Sequence, residues 1–234
     1  MSTSTDTPGL PGLQVGLAAL FVTALVTAQL TATKVLMLGL PFSIPVSGDA
    51  IIFPGAALAY ALTFFASDCY AELYGKRAAQ VLVNVGFLMN FVMLALVWAA
   101  VAGPVFPGSP VGAETFAAAL TPATGVVVGS LAAYVLSQNW DVLVFHYLRD
   151  RTDGKRLWLR NIASTASSQL IDTVVFIGVA FLLFQGVPLD LALSLIVGQY
   201  LLKVVIALVD TPFVYAVVGF ARSRAASADP VTAD

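Results

Sequence analysis

Apolar residues fall along this chain in six long runs, separated by short clusters of turn-forming or charged residues. A helix rises about 1.5 Å per residue, so about 20 apolar residues cross the roughly 30 Å of bilayer hydrocarbon. On that scale the runs predict membrane helices over 15–38, 51–71, 79–102, 121–146, 161–184 and 192–220. The breaks LPFSIPVSGD, AGPVFPGSP and QGVPLD are rich in turn residues, whereas YGKRA and RDRTDGKR are charged. Pro122 sits where the first turn of a helix tolerates a missing amide proton. The expected fold is therefore an all-α, six-helix transmembrane bundle over 13–220. Polar tails at 1–12 and 221–234 are expected to be disordered.

Composition agrees with the pattern. Hydrophobic residues make up 59% of the chain and charged residues 10%, against roughly 25% charged in soluble domains. So much apolar surface needs lipid as part of its solvent. The first dozen residues carry no Lys or Arg, so the first run lacks the positive region of a secretory signal and is expected to remain as a helix. Net charge is −2 and no basic arm exists, which removes nucleic acid from the expected partners. The only cysteine, Cys69, excludes a disulfide within the chain and any Cys-rich metal site.

Positive residues orient the helices. Lys76 and Arg77 lie between the second and third runs. Arg149, Arg151, Lys155, Arg156 and Arg160 lie between or beside the fourth and fifth, and Arg222 and Arg224 follow the sixth. The three opposite breaks hold Asp49, Glu114 and Asp190. A multi-pass protein of the plasma membrane with both termini in the cytoplasm is expected.

Two cations, Lys34 and Lys203, fall inside predicted helices. A Lys at the centre of a membrane helix costs about 2.5–3.5 kcal/mol on insertion scales. Lys34 is near the outer end of its run, where it can snorkel to the interface. Lys203 is near the midplane and needs a carboxylate, a cavity or a ligand. The fifth run supplies a candidate: Asn161, Ser164, Thr165, Ser168 and Asp172 form one helical stripe, with Gln169 at its margin and Asp172 at a depth similar to Lys203. Small hydroxyl residues also serve close helix packing, but packing does not require a carboxylate and an amide. The fourth run places Tyr134, Ser137, Gln138, Asp141 and Phe145 on one face, and the sixth places Gln199, Lys203 and Asp210 on another. Pro212 removes a backbone donor and predicts a kink with a freed carbonyl near Leu208. Asp68 and Glu72 close the second run, one turn apart. Stripes of opposite charge at matched depth predict a polar cavity for a small molecule. An Asp172–Lys203 pair made only for structure is the alternative. Trp140, Tyr134, Phe145, Tyr200 and Tyr215 are candidate stacking surfaces.

An intramembrane enzyme is disfavoured. His146 is the only histidine and lies at a helix end, and no His-Glu-x-x-His spacing or exposed nucleophile faces it. No metal or cofactor is expected.

The segments SDCYAELYG, LSQNWDVLVFHYLRD, KRLWLRNIASTASSQLIDTVVFIGVAF and GQYLLKVVIALVDTPFVY, in that order, resemble the queuosine precursor transporters, also called the putative vitamin uptake transporters. The resemblance covers about Gln29 to Tyr215, with Gln29 standing where the family more often has Asn. It implies a six-helix fold similar to the substrate-binding subunits of energy-coupling-factor importers. It also implies import of 7-deazaguanine bases, the cyano and aminomethyl precursors among them, for tRNA modification. Asp172 or Asp141 would accept the base's paired N–H donors, and Gln169, Gln138 or Lys203 would donate to its carbonyl. Ser164, Ser168, Gln199, Asp68 and Lys34 complete the expected binding set. Two arrangements stay open at this level: a binding subunit that depends on a separate ATP-driven energiser, and a homodimer.

Overall fold

The computed structural model describes residues 11–152 and 157–228. Its elements run α1 (Pro11–Thr31), β1 (Val35–Ile44), β2 (Gly48–Pro54), α2 (Ala57–Tyr74), α3 (Lys76–Ala102), α4 (Ala113–Leu120), α5 (Ala123–Arg151), α6 (Leu157–Ile177) and α7 (Leu189–Ala228). A π-helical stretch, Gly178–Leu183, continues α6. Among the described residues, five segments are long and apolar enough to cross a membrane: Gly12–Thr31, Lys76–Ala102, Ala113–Leu148, Ile162–Leu183 and Leu189–Arg224. α2 is shorter and carries Asp68 and Glu72.

The first apolar run ends earlier than its composition predicts. α1 stops at Thr31, and residues expected at the end of the first helix and the start of the second form an antiparallel hairpin instead. Val35 pairs with Pro54 and Gly39 with Ala50, and the register breaks between Gly39 and Ile44. Val46 at φ 74° and Gly48 at φ 66° turn the chain at its tip. The fold is mostly helical, as expected of an all-α membrane protein, and the expected helix bounds of 15–38 and 51–71 are corrected by this two-stranded hairpin. The segment misled because VLMLGL and AIIF are apolar without interruption. Such short runs do not distinguish strand from helix.

Other boundaries follow from local chemistry. Thr27 and Thr31 donate their hydroxyls to the carbonyls of Thr23 and Thr27, at 2.7 and 2.8 Å, so α1 carries them without an unpaired group. Gly75, at φ 84°, lets the chain pass from α2 to α3 in one residue, with its amide on the Ala71 carbonyl at 2.9 Å. α7 contains Pro212 and runs to Ala228, so the expected C-terminal tail is helical over its first part. The remainder of that tail and most of the expected N-terminal one lie outside the described residues, and Pro11 and Gly12 begin α1.

The largest core cluster joins Ala28 of α1 and Ala32 just after it, Val126 and Ala133 of α5, Ile177 of α6 and Phe181 of its continuation, and Ala192 and Leu195 of α7. Gly125 and Gly129 on α5 allow its closest approach. A Cβ on Gly125 would press within 2.5 Å of the Phe184 side chain, and one on Gly129 within 3.0 Å of that of Ala180. Two small residues four apart, meeting a neighbouring helix, are a membrane packing device. A second cluster packs Leu17, Phe21 and Leu25 of α1 on Ala66, Cys69 and Tyr70 of α2 and on Leu82 of α3. The outer surface is inverted relative to a soluble protein, with Leu58, Leu96, Leu143, Leu208 and Phe213 exposed. That inversion, together with the five apolar helices, makes the chain a multi-pass membrane protein.

Candidate functional site

Lys203 on α7 and Asp172 on α6 meet in the interior as an ion pair, Nζ to Oδ2, at 2.5 Å. The two side chains are 7% and 16% exposed. Ser137 on α5 extends its hydroxyl to the other carboxylate oxygen at 3.5 Å. The Lys203 ammonium also lies 5.8 Å from the ring centre of Tyr60 on α2, within reach of a cation–π attraction. A pair taken this far from water recovers its desolvation cost only with good geometry and further hydrogen bonds. The hydroxyl and the ring are of the kind required.

The pair stands between two cavities, and Lys203 lines both. α1 ends, and α2 begins, on the hairpin side of the bundle. The cavity on that side is the smaller and more enclosed of the two, with a volume of about 40 Å³, room for a few waters at most. Phe53 and Pro54 of β2 border it together with Tyr60, Ser130, Phe176 and Gln199. The Gln199 side-chain oxygen is buried there without a hydrogen-bond partner among the described residues. Ser130 donates to the Gln29 side-chain oxygen at 3.3 Å, and Gln29 is 2% exposed. On the opposite side, a chamber of about 690 Å³ opens between α2, α6 and α7. Asp68, Thr165, Gln169, Tyr200 and Asp210 line it. Its size falls in the range of small-molecule pockets, roughly 300–1,000 Å³.

The expected stripes on α6 and α7 converge as the helical spacing implied. Gln199, Lys203 and Asp210 descend one face of α7 from the enclosed cavity into the open chamber. Ser168 is buried and donates to Asp141 at 3.3 Å, which holds Asp141 against α6 outside both cavities. Ser164 is buried in the same stripe. The α5 stripe divides: Ser137 and Asp141 face α6, but Tyr134 turns to α3, where its hydroxyl accepts from Gln80 at 2.9 Å and its ring meets Phe87. Gln138 is exposed and borders neither cavity. Lys34 is also placed away from the site. It lies exposed in the turn between α1 and β1, because α1 ends before reaching it. Of the aromatic candidates, Tyr200 lines the open chamber and donates to the Ala166 carbonyl at 3.3 Å. Trp140 donates to Ser167 at the bundle surface at 3.0 Å, and Tyr215 is exposed beyond the chamber. Asn161 has no described side chain.

Tyr60, Phe53, Phe176 and Ser130 were not among the expected site residues. Tyr60 was reachable, because Tyr60, Phe64 and Asp68 recur every fourth residue and share one face of α2. Phe53 was not, because the turn residues of LPFSIPVSGD mark a break without showing that its apolar flanks pair as strands. Among the described residues, no group of three or more His, Cys, Asp or Glu side chains is placed to hold a metal ion.

A membrane-buried ion pair between two cavities, flanked by hydrogen-bonding and aromatic groups, is the architecture of a small-molecule transporter. Residues 54–217 match the family described as putative vitamin uptake transporter. The chain belongs to that family. It is 37% identical over 167 residues to the "Probable queuosine precursor transporter" of Bacillus subtilis (strain 168), an alignment covering 67% of this chain and 68% of that protein. No solved structure matches the chain.

Proposed function

We propose that this protein imports queuosine precursors, 7-deazaguanine bases such as the 7-cyano and 7-aminomethyl compounds, for tRNA modification. The likeness to the B. subtilis protein supports the substrate class. The observation that carries the site is the Asp172–Lys203 pair at the junction of the two cavities. A deazaguanine presents adjacent N–H donors and a carbonyl. Asp172 accepts from the donors in a paired, charge-assisted arrangement, and Lys203 donates to the carbonyl. The base thereby replaces each partner's hydrogen bond to the other, so neither charge is left bare during passage. Tyr60 and Phe176 offer faces to the flat ring. Gln199 brings an acceptor that has no partner among the described residues. Gln169 and Asp68 belong to the open chamber, where the base leaves or arrives.

α2 serves as the sixth crossing, its charged end facing the cytoplasm. Both termini are then cytoplasmic, with Lys76, Arg77 and Arg222 on that side. The hairpin lies on the outer face, and the open chamber faces inward. Uptake of a radiolabelled 7-deazaguanine base into proteoliposomes, with and without a proton gradient, tests the activity. Uptake by the protein alone is expected. Failure under both conditions, with intact reconstituted protein that still binds the base, would make the chain a binding subunit that needs a separate energiser. If Asp172→Asn left binding by the purified protein unchanged, the site assignment would be wrong.

A further inference from the structure

We propose that the hairpin 35–54 is the outer gate of the transport path, hinged at Gly55 and seated on Gly198. The two ends of the hairpin are tied at one point, where the Gly55 amide donates to the Lys34 carbonyl at 2.6 Å. A Cβ on Gly55 would lie 2.8 Å from the Thr31 carbonyl oxygen and 2.9 Å from that of Lys34, so the chain enters and leaves the hairpin through a glycine-dependent crossing. Beyond that crossing the hairpin has no third strand among the described residues. Two strands alone are marginally stable at best, so its position depends on what it rests against.

It rests on α7. A Cβ at Gly198 would collide with the Ile52 backbone carbonyl, which places β2 directly against the helix. Near the hairpin tip, Ser47 donates to the Ser194 carbonyl, one helical turn before Gly198, at 3.4 Å. In this seated position Phe53 and Pro54 border the enclosed cavity next to Gln199, and they hold it at about 40 Å³. That is far below the roughly 300 Å³ at which small-molecule pockets begin. Across the ion pair the inward chamber is already open at about 690 Å³. One side of the path is therefore narrowed by β2, seated on α7, while the other is open, the relation that alternating access requires. Lifting β2 from Gly198 enlarges the enclosed cavity from the outside and leaves the Asp172–Lys203 pair as the remaining barrier.

This inference rests on the reading of the two cavities as one path, but its test needs no substrate. Ser130→Cys places a thiol in the enclosed cavity, and a membrane-impermeant maleimide is applied to the hairpin side of oriented vesicles. Labelling is expected to be slow, and to quicken at least tenfold when Gly198→Val displaces the strand. Native chain, whose single Cys69 is buried, sets the background. The converse arm joins Ser47→Cys to Ser194→Cys with a short, cleavable thiol cross-linker. Cross-linking is expected to abolish the labelling of Ser130→Cys from outside, and a reductant to restore it. Labelling of Thr165→Cys from the opposite side should not change. If Gly198→Val does not fold, the cross-linking arm decides alone. Labelling of Ser130→Cys that ignores both manipulations would overturn the gate, whatever the substrate proves to be.

Discussion

The two cavities beside Lys203 are built from different materials. The open chamber is walled by helix faces, and its polar residues come from regular stripes on α2, α6 and α7. The enclosed cavity is bordered by a strand, and its aromatic and polar groups come from β2, α2, α5, α6 and α7 at once. Helix walls are held by their own backbone bonds and by long packed faces, whereas β2 is held by its pairing with β1, by its packing along α7 and by the glycine seat at Gly198. Under the proposed gate, opening one side moves a strand and leaves the helix bundle in place.

The largest effect should come from the shared element. Truncating one partner of a buried pair costs about 3–5 kcal/mol because the other charge is left uncompensated. Asp172→Asn and Lys203→Met should each lower thermal stability sharply and reduce binding of the base by at least about tenfold. The double variant should regain most of the stability and none of the binding, as read by thermal shift and equilibrium binding on the same preparations. Recovery of both would mean that the pair serves structure only. Next in size is Gln199→Leu. An unpartnered buried acceptor costs about 1–3 kcal/mol, so this variant should be as stable as the native protein or more so, yet bind the base about tenfold more weakly. Unchanged affinity would remove Gln199 from the site.

Tyr60→Leu should weaken binding about three- to tenfold, in line with roughly 0.5–1.5 kcal/mol for an aromatic contact beyond its area. Tyr60→Phe should retain most of the affinity, and equal losses in both would assign the effect to the hydroxyl. Smallest are Lys34→Ala and Gln138→Ala, each expected to change uptake less than about twofold, because neither side chain borders a cavity. The exposed Arg222–Glu72 pair, 3.3 Å long, belongs with them. Such pairs contribute about 0–1 kcal/mol.

Much of this was legible without coordinates. Asp172 and Lys203 stood out because a charge in an apolar run has few explanations, and helical spacing joined each to its neighbours. Tyr134 and Gln138 were misassigned for a related reason. A stripe names a face, but which helix that face meets depends on rotation within the bundle. α5 gives Tyr134 to Gln80 of α3 and Ser137 to Asp172 of α6.

The membrane character of the chain and the depth of its central charges followed from hydrophobic content and a period of 3.6 residues, both local properties of the chain. The positive residues set an expected orientation on the same local basis. The hairpin could not be read in this way. Residues 35–54 are apolar enough for either secondary structure, and they become strands where β2 finds a glycine on α7, far away in sequence, that lets two backbones touch. The same contact brings Phe53 to the cavity and closes one side of it. Contact between distant segments is a property of the packed chain, and no window along the sequence contains it.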